Sequence, residues 1–170
     1  MNPIDLPDAD SLLTRLATDL ARHLREHHID QPHLVGILSG GAWVAERLRG
    51  ALGLEAPIGM LDISFHRDDV DSAGLNPSVR PSTMPWDLDG RHVVLVDDVL
   101  WTGRTVRAAL NEIFDWGRPA SVTLAVLVAR DGRELPIEAS VAGARIALPP
   151  GRHLKLRGPE SWYLELVDAT

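Results

Sequence analysis

The sequence predicts an α/β fold: a central, mostly parallel sheet flanked by helices, in one domain spanning residues 1–170. Three observations predict it. Val93-Val94-Leu95-Val96 is an apolar run without alternation, as expected of a strand covered on both faces. Two acids, a Thr/Gly turn and a helical pattern follow it directly, so strand passes into helix as in a βα unit. The order of strand, small-residue loop and helix also occurs earlier, between Leu34 and Leu52.

Taken along the chain, Met1 to Pro7 reads as a loose arm. Asp8 or Asp10 can cap a first helix running to about His28, with Leu12, Leu13, Leu16, Leu20 and Leu24 as its core stripe. His23, His27 and His28 have no acidic or cysteine ligands beside them, so they read as surface residues rather than a metal site. Leu34 to Leu38 is a short buried strand. It ends in Ser39-Gly40-Gly41, and a helix follows with Val44, Ala45, Leu48 and Leu52 inward. Ile58 to Phe65 is strand-like. Val70 to Pro85 holds three prolines, Gly74 and Asn76, and a loop of that length is usually functional or mobile. After the central strand, Val106, Ala109, Leu110, Ile113 and Phe114 mark a helix by their spacing, ended by Gly117. Ser121 to Val128 is a further buried strand. Val141 to Leu148, Leu154 to Leu156 and Tyr163 to Val167 read as late strands completing a sheet edge or a small hood. Trp101 and Trp162 are candidates for packing at an interface.

Composition narrows the class. A chain of 170 residues with 45% hydrophobic and 24% charged content suits one globular domain. There is no cysteine, which removes disulfide frameworks and thiolate zinc sites. No apolar run is long enough to span a bilayer, and no secretory signal is expected at the N-terminus. A cytoplasmic location fits. The net charge of −7 argues against non-specific nucleic-acid binding over the whole surface.

The chemistry concentrates in Val93 to Thr105. Asp97 and Asp98 follow the strand, at the end where open α/β sheets bind ligands. Thr102, Gly103, Arg104 and Thr105 precede the helix. Backbone N–H groups and hydroxyls there converge near the positive end of the helix dipole, which suits a phosphate, and Gly103 permits close approach. The carboxylates suit hydroxyl groups or a metal-bound polyol. A phosphate at one end and vicinal hydroxyls nearby describe a ribose 5-phosphate. A phosphoryl-transfer receiver domain would also use an acidic pair, but it needs a late lysine at a strand end, and no strand-end spacing supports Lys155, the only lysine here.

Val93 to Thr105 resembles the phosphoribosyl pyrophosphate (PRPP) motif of type I phosphoribosyltransferases, in the form found in the PyrR family of pyrimidine-operon attenuation proteins that are also uracil phosphoribosyltransferases. Leu61-Asp62-Ile63-Ser64 with Arg67-Asp68-Asp69, Gly117-Arg118-Pro119, Leu124 to Val128, and Arg133-Glu134-Leu135-Pro136-Ile137 resemble it too, in its order. The resemblance covers roughly residues 10 to 168.

It implies the type I phosphoribosyltransferase fold, with a small hood and a flexible arm at about residues 66–86. It implies transfer of phosphoribosyl from PRPP to uracil, giving uridine monophosphate (UMP) and pyrophosphate, with Mg2+ carried by PRPP. Asp97 and Asp98 then hold the ribose, Thr102 to Thr105 the 5′-phosphate, and Ser39, Gly40 and Gly41 the pyrophosphate. Many members of the family carry Thr-Arg-Gly where this chain has Ser-Gly-Gly. Arg67, Arg80, magnesium or a residue of another subunit then has to balance the charge. Backbone groups at Ala129 and Arg130 are implied for the base. Arg133 and Glu134 can equally pair across their loop. UMP-responsive binding of pyrimidine-leader mRNA is the second implied activity, with Arg15, Arg22, Arg25, Arg145, Arg152 and Arg157 as candidates for a basic face built across a homo-oligomer. The alternatives are a weakly catalytic or non-catalytic RNA-binding attenuator, and transfer to another base such as xanthine or hypoxanthine.

Overall fold

The structure is a computed structural model that describes residues 6–63 and 81–168. Arg67 and Arg80 lie outside the described residues, as does most of the arm assigned to 66–86. The elements run α1 (Ala9–Glu26), β1 (Pro32–Ile37), α2 (Gly40–Ala51), β2 (Gly59–Leu61), β3 (His92–Leu100), α3 (Arg104–Trp116), β4 (Ser121–Arg130), β5 (Val141–Ile146), β6 (Arg152–Arg157) and β7 (Tyr163–Asp168).

Five strands form one parallel sheet in the order β2-β1-β3-β4-β5. The alternation of side chains along β3 explains why both faces are covered. Val94 and Val96 join a core with Leu16 and Leu20 of α1 and Val44 and Leu48 of α2. Val93 and Leu95 join the opposite core with Val106 and Ile113 of α3. Successive strand residues point to opposite faces, so an unbroken apolar run is what a sheet between two helical layers requires. The late strands divide. β5 is the parallel edge of the main sheet, while β6 and β7 pair antiparallel as a separate hood.

Some expectations shift by a few residues. Asp8, not Asp10, caps α1, its carboxylate accepting from the Ser11 N–H at 2.9 Å. The helix stops at Glu26, and Ala9 and Ala17 share its buried face while Leu13 is only partly covered. Of the strand expected over Ile58 to Phe65, the described residues form Gly59–Leu61, and Ser64 and Phe65 lie outside the described residues. On α3, Ala108 is buried and Phe114 is 45% exposed, because the buried stripe runs through Val106, Ala109 and Ile113 and leaves Leu110 and Phe114 on its edge. The Arg47 guanidinium stacks on the half-buried ring of Trp162 at 4.2 Å.

The strand order reverses between β1 and β3. From β1 the chain moves outward to β2, and from β3 it moves the other way through β4 to β5. That divergence opens a crevice between β1 and β3 at their carboxyl ends, the position where open α/β sheets take ligands.

Candidate functional site

The register of β3 creates the opening. Its pairing with β1 ends at Val96↔Gly36, while its pairing with β4 continues through Leu100↔Ala129. Asp97 and Asp98 are therefore not at the strand terminus, as the sequence suggests, but at the point where β3 loses one neighbour. The strand continues because β4 still satisfies its backbone. Asp97 is 3% exposed, and its Oδ1 accepts from the Asp98 N–H at 3.0 Å. Asp98 lies against the first turn of α2: a Cβ on Gly40 would come within 2.3 Å of its Oδ2.

Both acids line a cleft of about 830 Å³, within the range typical of small-molecule sites. Ser39 and Gly40 at the start of α2 form one wall, and Thr102 to Thr105 at the start of α3 another. Gly103 caps α3 with φ of 94°, a left-handed conformation that favours glycine. The Thr102 hydroxyl accepts from the Arg104 N–H at 3.2 Å, and the Thr102 carbonyl accepts from Glu134 and Leu135 N–H groups at 3.0 and 3.1 Å. The turn is thus fixed from both sides. Neither α2 nor α3 carries an acid in its first turn, whereas α1 carries Asp10. Both helix ends facing the cleft keep their positive dipole ends, as an anion site requires.

Gly41 belongs to the packing rather than to the cleft wall. A Cβ there would meet the Val96 carbonyl oxygen at 2.4 Å, so the close seating of α2 on β3 requires glycine here, whatever its backbone N–H serves. Ala129 is registered between Leu100 and Arg145 inside the sheet, and it does not line the main cleft. The resemblance implies a base contact through backbone groups at Ala129 and Arg130; of the two, Arg130 lines the main cleft, and both line a smaller pocket beside it. Arg130 is 8% exposed and donates through Nη1 to the Arg152 carbonyl at 2.8 Å, tying the sheet to the hood. Burial pulls its pKa below the usual arginine value, with Asp131 acting in the opposite direction. Arg133 and Glu134 do not pair with each other. Glu134 holds Arg104 at 2.8 Å, and Arg133 reaches Glu138 at 3.4 Å, because the loop crosses over the start of α3.

His153 and Lys155 also line the cleft without belonging to a motif, and Trp101 lines it from within the Val93 to Thr105 stretch without a role assigned there. Leu154 and Leu156 mark β6 by their alternation, but nothing local says that the hood folds back over the sheet.

The phosphoribosyl transferase domain model matches residues 8–145. The curated "Bifunctional protein PyrR" of Pseudomonas savastanoi pv. phaseolicola is 53% identical over 165 residues, covering 97% of each chain. That of Pseudomonas paraeruginosa is 54% identical over 162 residues, covering 95% of each. The chain belongs to the PyrR family of phosphoribosyltransferases. Among solved structures, a hypoxanthine phosphoribosyltransferase from Staphylococcus aureus is similar with a TM-score of 0.65 and 20% identity, over 85% of this chain and 78% of that one. A hypoxanthine-guanine phosphoribosyltransferase from Bacillus anthracis gives 0.65 and 15%, over 89% and 87%. At those identities the likeness bears on the fold. No helix among the described residues of this PyrR family member is long and apolar enough to cross a membrane.

Proposed function

We propose that this phosphoribosyltransferase transfers the phosphoribosyl group of PRPP to uracil, yielding UMP and pyrophosphate. One observation carries the reading: the acidic pair and two acid-free helix N-termini meet in a single cleft at the β1/β3 divergence. Thr102 to Thr105 hold the 5′-phosphate. Asp97 and Asp98 accept hydrogen bonds from the ribose hydroxyls. Ser39 and Gly40, on the β1 side of β3, receive the departing diphosphate, assisted by Arg67 and Arg80 from the segment beyond the described residues. The C1′–oxygen bond breaks, the C1′–N1 bond forms, and uracil releases its N1 proton. That N–H is already fairly acidic, so positioning and stabilisation of the leaving group supply most of the rate.

Magnesium fits this arrangement as a guest of the substrate. The described residues contain no cluster of three or more ligating side chains. Mg2+ is commonly held by one or two carboxylates together with substrate phosphates, and Asp97 and Asp98 supply two. Its chemistry would be to neutralise charge on the diphosphate.

The second activity of the family reading is UMP-responsive binding of pyrimidine-leader mRNA by a cytoplasmic homo-oligomer. Five of its six candidate arginines sit beside carboxylates: Arg15 and Arg22 on Asp19, Arg145 on Glu138, Arg152 on Asp168 and Arg157 on Glu165. Such pairing weakens the field available to phosphates, so the transferase reading is the better supported. A panel of nucleobases incubated with PRPP and magnesium, with pyrophosphate release followed, tests it. Uracil should be the preferred acceptor. Release with xanthine or hypoxanthine alone would replace the substrate, and release with none would remove the transferase. A gel shift on leader RNA with and without UMP tests regulation, and no UMP-dependent binding at moderate salt would eliminate it.

A further inference from the structure

Trp101 occupies the side of the cleft that the phosphate and ribose contacts leave unused. The indole follows directly on β3 and is 37% exposed. It lines the cleft together with Arg130 and His153. The Arg130 guanidinium lies 4.7 Å from its ring centre, and the His153 ring meets it at 4.6 Å and 84°. Gly132 has φ of 92°, and a Cβ on it would come within 2.7 Å of the indole Nε1. A loop, a sheet strand and the hood therefore converge to hold one aromatic side chain whose remaining surface is open to the cleft. Large apolar surface kept exposed but immobilised inside a cleft is what a flat ligand uses.

Its placement agrees with the direction of the reaction. Displacement in line at C1′ requires the incoming nitrogen opposite the departing oxygen. Ser39 and Gly40 lie beyond β3 on the β1 side, so the base enters from the β4 and hood side, where Trp101 stands. We propose that Trp101 is the wall against which the incoming one-ring, planar nucleobase packs, and that Arg130 is a positioning residue that holds the indole in place. This rests on the phosphoribosyltransferase reading. The base edges, with their carbonyl oxygens, stay at the rim where water or backbone groups satisfy them.

Steady-state kinetics with uracil and PRPP test it in Trp101→Ala, Trp101→Phe, Arg130→Gln and the Trp101→Ala/Arg130→Gln double variant. Loss of base–aromatic contact should raise the KM for uracil by roughly tenfold or more, with the KM for PRPP within about twofold of the parent. Trp101→Phe should recover most of the loss. Arg130→Gln should raise the uracil KM less, and should add nothing once Trp101 is alanine, because it acts through the indole. An unchanged uracil KM in Trp101→Ala, or equal rises for both substrates, overturns the contact. Additive effects overturn the role of Arg130. UMP titration of tryptophan fluorescence reads the same contact without turnover: the quench should be much smaller in Trp101→Phe, and an undiminished quench also overturns the proposal. Failure of every base to react with the parent protein would instead sink the transferase reading, and it would be seen before any variant is compared.

Discussion

Gly40→Ala and Gly41→Ala, adjacent and chemically identical changes, should damage different properties. At Gly40 the new methyl would lie 2.3 Å from Asp98 Oδ2 and 2.5 Å from its Cγ. Both move when the Asp98 side chain rotates, and the remaining contact, its Cβ at 3.0 Å, needs a backbone shift of only a few tenths of an ångström. The stability effect is small and can be favourable, since alanine exceeds glycine in helix propensity by up to about 1 kcal/mol. The site, however, loses a positioned carboxylate. A hydrogen bond to a charged group contributes about 1.5–3 kcal/mol, which corresponds to roughly a ten- to hundredfold fall in kcat/KM. At Gly41 the methyl would meet the Val96 carbonyl at 2.4 Å and the Asp97 Cα at 3.0 Å. Backbone cannot rotate aside, so α2 has to lift from β3. Overpacking of that kind costs about 1–3 kcal/mol, or roughly 3–10 °C in Tm for a chain of this size. Thermal melts and initial rates on both variants check the pair. Wild-type kcat/KM in Gly40→Ala would refute the placement of Asp98 in the site. A Gly41→Ala protein as stable as its parent would refute the packing argument.

Three further outcomes are expected. Asp97→Asn combined with Asp98→Asn should bring pyrophosphate release to background with secondary structure intact by circular dichroism; full activity would remove the acids from the mechanism. His33 is 8% exposed and packs edge-on to Trp86, and burial first, then Arg91, holds its pKa below the ordinary histidine value. The unfolded chain then takes up the proton more readily, so stability should be complete above about pH 6.5 and fall as pH drops through the folded-state pKa. His33→Gln should show a shallower decline of Tm with acidification, the remainder coming in part from His23, which is shifted in the same direction by burial and by His27. Breaking the exposed Arg104–Glu134 pair with Glu134→Gln should change stability by no more than about 1 kcal/mol, and a larger loss by urea melt would show that the pair anchors the loop.

The parts of this molecule legible in the sequence are those written in consecutive residues. Val93 to Val96, the acids behind them and the Thr-Gly-Arg-Thr bend occupy one strand and one turn, so local pattern and site coincide. Ser39 and Gly40 were legible for the same reason. Arg130 is named by the resemblance, but the meeting of Trp101 and Arg130 with His153 is not legible, because it depends on strand pairing and on the hood folding back over the sheet. Gly41 carries a requirement that the letter does not show: a glycine in a phosphate loop and a glycine under a helix look alike in sequence, and the 2.4 Å approach to Val96 adds the second to the first. Phe114 shows the limit of periodicity, which finds the helix face but not its edges: Ile113 is buried and Phe114 beside it is exposed.

The Ser-Gly-Gly loop also bears on how an acidic chain accommodates a diphosphate. The two helix ends at the cleft contribute roughly half a positive charge each, about enough to offset one carboxylate. Arg104, Arg130 and Lys155 face Asp97, Asp98 and Glu134 across the cleft lining, with Arg104 paired to Glu134 and Arg130 against an indole, so the side chains there come close to cancelling. A bare diphosphate would therefore enter a cleft that already contains Asp97 and Asp98 and has little net positive charge among the described residues. The same acids become an asset when the diphosphate arrives with part of its charge already neutralised, because a carboxylate that repels a bare anion can bind the cation accompanying it. An arginine in the loop would serve both the bare and the metal-laden form. A glycine pair at the loop, with acids across the crevice, favours the second.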